Sequence, residues 1–413
     1  MKFIHFADAH LDSPFRGLSF LPSKEFNQIY QAADQSLTRI VDLALKQNVD
    51  LVLIAGDTFD SNTPSPRAQL FFAEQIKRLT DQKIQVVMIF GNHDHMKKED
   101  LLVTETPYFK LLGNGEKVEK ATFATKADFT YDVIGFSYLN NHITRDMIPD
   151  FPAKGQNYTF GLMHAQEKTQ TNNVYAPFTT SEVQNLNYDY FALGHIHARN
   201  NLSENPWIVY PGNIQGRHIN EMGTKGCYLG EIDEQTKKTS IEFKQTSPII
   251  WQAVEINLES EIDKAGLQTK IIEVLNQIKQ KTYFSLTIKG AQYLTEEERE
   301  LTADTDFWQT ISQNLPFASQ LVDVRYETNT SLELNENDQK AFEKAKAEIF
   351  DVDEFNQIVN DWKKKDPEAA ALAEDPKFIE AVKQLTEVKL MSKLKGIKDE
   401  TEPNQNDLLW PVF

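Results

Sequence analysis

Two periods of apolar residues alternate along the first 250 positions. Residues 2–8 alternate in polarity and stop at Asp8-Ala9-His10-Leu11-Asp12. Leu51–Ala55 is a nearly continuous apolar run, the pattern of a strand covered on both faces, and it ends in Gly56-Asp57-Thr58-Phe59-Asp60. Gln85–Ile89 is a third short run, rich in β-branched residues, ending in Phe90-Gly91-Asn92-His93-Asp94. Between them the spacing turns helical. Phe26, Ile29, Tyr30, Ala33, Leu37, Ile40, Val41 and Ala44 form one stripe, and Leu70, Phe71, Ile76 and Leu79 a second after Pro66. The first ninety residues therefore read strand, helix, strand, helix, strand. Right-handed crossovers make this a parallel sheet, with all three polar tips at one carboxyl edge. Ligands bind at that edge in open α/β sheets.

The strand signal continues. Residues 120–139 carry short alternating segments. Tyr158–Met163 ends at His164, and Tyr188–Leu193 at Gly194-His195-Ile196-His197. Trp207–Tyr210 leads into Pro211-Gly212-Asn213 and then Gly216-Arg217-His218, and a hairpin-like pair follows around Cys227–Ile232 and Ser240–Phe243. A boundary is expected near Ser247-Pro248. Past it, 254–258, 283–288 and 321–326 read as strands and 262–278 as a helix, a small α+β domain without a concentration of catalytic side chains. From about 331 the chain reads as helical and charged. Asp375-Pro376 suits a helix start, Phe378 to Leu394 a stripe, and Gly396 a stop. That stripe packs on its own domain or offers a surface to a partner helix. The expected organisation is a first domain over 1–246, a second over 247–330 and a helical region over 331–413.

Composition narrows the class. The 413 residues are 40% hydrophobic and 25% charged, ordinary for a soluble globular protein. The single cysteine, Cys227, excludes a disulfide framework and a thiolate metal cluster. No apolar run approaches membrane-spanning length, and the start is too soon charged for a signal peptide, so a cytoplasmic chain is expected. The net charge of −18 argues against a broad basic face for nucleic acid. Much of it is local: residues 331–413 hold 19 acids and 12 bases.

The chemistry lies at the strand ends. Asp8, His10, Asp57, Asn92, His164, His195 and His197 each follow an apolar run, and with His93 five of the nine histidines occupy such positions. One histidine at a strand end is ordinary surface; five, with two aspartates and an asparagine, point to a metal centre. Imidazole mixed with carboxylate suits Mn²⁺, Fe²⁺ or Zn²⁺, whereas Mg²⁺ prefers oxygen alone. A carboxylate can bridge two ions, Asp57 being the natural bridge, and two divalent metal ions can clamp an in-line displacement at phosphorus. His93 would then stabilise phosphoryl charge or protonate the leaving oxygen, with Asp94 holding its tautomer. Arg217 and His218 are candidates for substrate phosphate, or else form a salt bridge within their loop.

The set Asp8-x-His10, Gly56-Asp57-x-Phe59-Asp60, Gly91-Asn92-His93-Asp94, His164 and Gly194-His195-x-His197 resembles the five motifs of the calcineurin-like metallophosphoesterases. The order and surroundings resemble the SbcD-type DNA repair exonucleases. Phe6–Phe15 and Tyr210–His218 look most like the YhaO branch. The resemblance covers about the first 220 residues. It implies an α/β (α+β) fold, a four-layer sandwich of two mixed β-sheets flanked by helices, with a cap domain and a helical tail. It also implies two metal ions, typically Mn²⁺: one on Asp8, His10, Asp57 and His197, the other on Asp57, Asn92, His164 and His195, with His93 catalytic. The implied substrate is DNA, and the implied partner a coiled-coil ABC-type ATPase like SbcC, with a homodimer also open. Many nucleases of the family carry His where this chain has Asp60, which bears on polarity and rate. The competing functions are a phosphodiesterase for a small nucleotide and a weakly catalytic scaffold subunit for the ATPase. Ser61-Asn62 after Asp60, in place of Arg-Gly, disfavours a phosphoprotein phosphatase.

Overall fold

In the computed structural model, the described residues are 1–327 apart from 16–17, 105, 114 and 170–172, then 336–349 and isolated positions between 357 and 386. The proposed helix from Asp375 to Gly396 and the apolar end at 408–413 lie outside the described residues, save for a few positions. The chain divides into two compact units, Met1–Trp251 and Gln252–Phe413.

The strands of the first unit are β1 (Lys2–Phe6), β2 (Leu51–Ala55), β3 (Gln85–Ile89), β4 (Phe109–Leu111), β5 (Glu119–Ala124), β6 (Thr130–Gly135), β7 (Tyr158–His164), β8 (Tyr190–Gly194), β9 (Asn200–Glu204), β10 (Trp207–Tyr210), β11 (Gly226–Ile232) and β12 (Thr239–Gln245). Its helices are α1 (Ser23–Tyr30), α2 (Ala32–Gln47), α3 (Pro66–Asp81) and the short α4 (Thr180–Asn185). One mixed sheet runs β12-β11-β1-β2-β3-β4 and the other β5-β6-β7-β8-β10-β9. Strands β1 to β4 are mutually parallel, and β11 and β12 close that sheet antiparallel.

The two-residue period of a strand decides the layering. Ile4, Phe6, Val52, Ile54, Val86 and Met88 face α2 and α3. Their neighbours Phe3, Leu51, Leu53, Ala55, Val87 and Ile89 face the second sheet and meet Tyr131, Val133, Phe160 and Leu162. The far side of the second sheet is covered by the 136–151 segment, Phe178 and Val183 of α4. The result is four layers with the two sheets innermost. The central strands β2, β3, β7 and β8 are buried on both faces, which is why they read as nearly continuous apolar runs.

Two local expectations differ. The single stripe over 26–45 becomes two helices, because Gln31 leaves helical geometry (φ −90°, ψ 2°) between α1 and α2. On α3 the buried face runs through Ala68, Phe72, Ile76 and Leu79, and Leu70 is 62% exposed. Ser65 caps α3 by accepting the Ala68 N–H at 3.2 Å, ahead of Pro66.

The second unit carries a three-stranded sheet, β13 (Ile250–Asn257), β14 (Thr282–Lys289) and β15 (Gln320–Glu327), in that order. It also holds α5 (Lys264–Leu275), α6 (Glu296–Ala303), α7 (Thr305–Gln313) and α8 (Glu336–Ile349). Leu267, Ile271, Phe284, Leu286, Ile288, Phe307 and Ile311 form its core. Among the described residues, no helix is long and apolar enough to cross a membrane.

Candidate metal centre

Each polar tip leaves its strand at the carboxyl edge, and the backbone there is forced. Asp8 (φ 53°), His10 (φ 44°), Asp57 (φ 50°) and His195 (φ 98°) all lie in the left-handed region that L side chains avoid. Such conformations cost of order 1–3 kcal/mol each and persist only where their surroundings impose them. The hydrogen bonds Asp8 N–H to Gly56 O (3.1 Å), His10 N–H to Asp57 O (3.0 Å) and Leu11 N–H to Thr58 O (2.9 Å) zip the first two tips together beyond their strands. Gly91 is required by space. A Cβ there would lie 2.2 Å from Asp57 Oδ1 and 2.8 Å from His164 Cε1.

The seven side chains named from the sequence converge. Ligating atoms of Asp8, His10 and His197 lie within 4.8 Å of one another, as do those of Asp8, Asp57 and His164. Asp57 Oδ2 stands between the groups, 3.3 Å from His164 Nε2 and 3.8 Å from His10 Nε2. Asn92 Oδ1 receives His164 Nε2 at 3.0 Å and His195 Nδ1 at 3.1 Å. His10 Nε2 and His197 Nε2 meet at 2.9 Å. Asp8, His10, Asp57, Asn92 and His164 are all buried.

Burial pushes His10 down to about 4 and His195 down to about 3, so both are neutral near pH 7 with lone pairs open. Burial also opposes the charged form of His164, but the facing Asp57 carboxylate outweighs it and raises the ring to about 9. Burial would likewise raise Asp57; His164, then His10 and His93, hold it far below the usual carboxylate range. His197 Nδ1 is 2.6 Å from the buried Glu221 Oε1, so its Nε2 is left without a proton in the neutral ring. Two imidazole nitrogens then face each other across 2.9 Å with carboxylates alongside. That donor set fits a divalent cation better than it fits itself.

The neighbouring residues hold differences from expectation. Asp94 does not touch the His93 ring. Its carboxylate accepts from the backbone of Thr58 (2.7 Å), Phe59 (3.4 Å) and Gly91 (2.6 Å), tying the β2 and β3 tips together. The residue that orients His93 is Asp60, whose carbonyl oxygen lies 3.1 Å from His93 Nδ1, while the His93 N–H donates to Asp57 Oδ1 at 2.8 Å. Arg217 pairs with Asp60 on the β2 tip, 157 positions away, and His218 is half exposed with Nε2 3.4 Å from Glu221 Oε1 in its own loop. Glu221 escaped the sequence reading altogether. It sits in an irregular turn, and its only signal was a carboxylate four residues after Gly-Arg.

A model of the calcineurin-like phosphoesterase family matches residues 1–199. The chain is 33% identical over 294 residues to the uncharacterized metallophosphoesterase YhaO of Bacillus subtilis, across 70% of this chain and 69% of that protein. It is 25% identical over 203 residues to the DNA double-strand break repair protein Mre11 of Sulfolobus acidocaldarius, across 48% and 50%. It is 23% identical over 327 residues to the SbcD component of the SbcCD nuclease of Staphylococcus epidermidis, across 73% and 82%.

Proposed function

The chain belongs to the calcineurin-like phosphoesterases, and we propose that it is a two-metal phosphodiesterase that degrades DNA from an end, in repair or end processing. The observation that carries this is the meeting of seven ligating side chains from five separate strand ends in one buried pocket. One divalent cation would be held by Asp8, His10, Asp57 and His197, the other by Asp57, Asn92, His164 and His195; Mn²⁺, Fe²⁺ and Zn²⁺ all fit this mixed donor set, and we assign Mn²⁺ from the family resemblance. When bound, such a pair supplies a water of lowered pKa and neutralises charge on the phosphoryl oxygens.

The chain's own groups do the rest. Asp57 separates the two positions and, through the His93 N–H, fixes the turn that presents the imidazole. His93 Nδ1 donates to the Asp60 carbonyl, so Nε2 gives a proton to the leaving oxygen, or a hydrogen bond to a phosphoryl oxygen, only when the ring is the imidazolium. Asp94 keeps the β2 and β3 tips at a fixed spacing through three backbone amides. The names of the Mre11 and SbcCD relatives support DNA as the substrate. The SbcCD name implies a partner subunit; that this partner is a coiled-coil ABC-type ATPase, and that the chain self-associates as a dimer, is our assignment from the family resemblance alone.

The test is Mn²⁺-dependent hydrolysis of end-labelled duplex and single-stranded DNA beside bis-p-nitrophenyl phosphate. Release of nucleotides from DNA, lost in Asn92→Ala, supports the proposal. Hydrolysis of the small diester with DNA untouched would overturn the DNA assignment and leave a phosphodiesterase of small nucleotides.

A further inference from the structure

The imidazoles of the two corners are backed differently, and what this implies rests on the two-cation reading above. His197 Nδ1 lies 2.6 Å from the carboxylate of Glu221. His10 Nδ1 lies 3.1 Å from Asp60 Oδ1, close but not aligned as a hydrogen bond. His164 Nδ1, in contrast, donates to the neutral carbonyl of Ala55 at 2.9 Å, with the Asp8 carboxylate beyond hydrogen-bonding reach at 3.9 Å. His195 turns its Nδ1 inward to Asn92.

Glu221 is 7% exposed, an expensive place for a carboxylate unless its oxygens are satisfied. They are. Oε1 faces His197, while Oε2 accepts from the Arg217 N–H at 2.7 Å and from Asn213 Nδ2 at 2.7 Å. The Arg217 guanidinium reaches on to Asp60. Glu221, Arg217 and Asp60 thus form one continuous polar bridge behind His197 and His10. Lys225 Nζ fixes the His197 carbonyl from the same side, at 2.7 Å.

We propose that Glu221 is a positioning residue for the Asp8–His10–His197 corner, extended by Arg217 and Asp60, and that this corner is the tighter of the two cation positions. A carboxylate behind an imidazole sets which nitrogen carries the proton and makes the other a better donor; removing such a partner costs about 10–100-fold in metal affinity. A backbone carbonyl orients the ring without adding a full charge. The corner built on His164 and His195 therefore binds its cation more weakly. Asp60 also orients His93 through its carbonyl, so the same bridge links the catalytic ring to the tighter corner.

The experiment is calorimetric titration of the metal-free, full-length protein with Mn²⁺. The wild type takes up two equivalents of unequal affinity. Glu221→Gln weakens the tighter one by about 10–100-fold and leaves the weaker unchanged. Glu221→Asp restores part of the loss, and Asp60→Asn weakens the same equivalent by less. Thermal unfolding of the metal-free variants separates a packing defect from a lost positioning contact, and Asp60→Asn carries the test if Glu221→Gln fails to fold. Unchanged affinity in both Glu221→Gln and Asp60→Asn, or equal weakening of both equivalents, overturns the assignment of Glu221 alone. Fewer than two equivalents in the wild type overturns the two-cation reading itself.

Discussion

The two units of the chain treat buried polar groups in opposite ways. In Met1–Trp251, Asp8, His10, Asp57 and His164 are buried facing one another, on backbone held at positive φ at three of the four. In Gln252–Phe413, buried charged residues serve local structure. Glu298 closes a capping box with Thr295 at the start of α6, and Arg299 Nη1 donates to the Leu294 carbonyl at 2.7 Å. The exposed Asp263 and Asp304 cap α5 and α7 by accepting the Gly266 and Asp306 N–H groups. Among the described residues, every group of three His, Cys, Asp or Glu with converging ligand atoms lies in the first unit. Left-handed backbone in the second unit is confined, among the described residues, to Gly290 and the Phe317–Ala318 turn. Where a fold only has to be stable, polar side chains satisfy nearby backbone; where it has to do chemistry, it stores unfavourable charge and strain at one edge.

That contrast can be broken in three places. The largest effect is expected at His93, the ring to which the proposal gives the proton transfer. His93→Ala should lower turnover by about 10²–10⁴-fold with unfolding temperature and Mn²⁺ stoichiometry unchanged, measured on bis-p-nitrophenyl phosphate. Full activity in this variant would remove the catalytic role. Next is Gly91, where an added methyl meets Asp57 and His164 within 3 Å. Gly91→Ala should cost about 1–3 kcal/mol in denaturant unfolding and lower Mn²⁺ affinity together, since the same side chains bear both. Stability lost without any change in metal binding would separate the strain from the site. The smallest effect is expected at Thr295. Thr295→Ala should cost about 1 kcal/mol of stability through the lost cap, with turnover of the small diester unchanged. A matching fall in turnover would show that the second unit does more than hold its own structure.

The sequence disclosed the site more fully than its surroundings, for physical reasons. Strands β2, β3 and β10 stand where their apolar runs stand, because burial on both faces leaves an uninterrupted signal bounded by polar tips. The tips themselves were legible because parallel neighbours carry their ends to one edge, β1, β2 and β3 in one sheet and β7 and β8 in the other; only the family resemblance joined the two edges. What escaped depends on contacts that chain order does not encode. Glu221 reaches His197 across 24 positions through an irregular turn. Asp94 turns away from His93 toward three backbone amides because of a local bend. Gln31 splits one apolar stripe into two helices without interrupting its period. Positive φ at Asp8, His10, Asp57 and His195 has no compositional mark either, since none of the four is glycine.

The central claim is that two cations sit between the His10–His197 and His164–His195 pairs with Asp57 shared. Anomalous diffraction from crystals soaked in Mn²⁺ tests it most directly. Two peaks about 3.5–4 Å apart, flanking the Asp57 carboxylate, are the predicted result; an empty pocket, or peaks bound only outside these seven side chains, would contradict it.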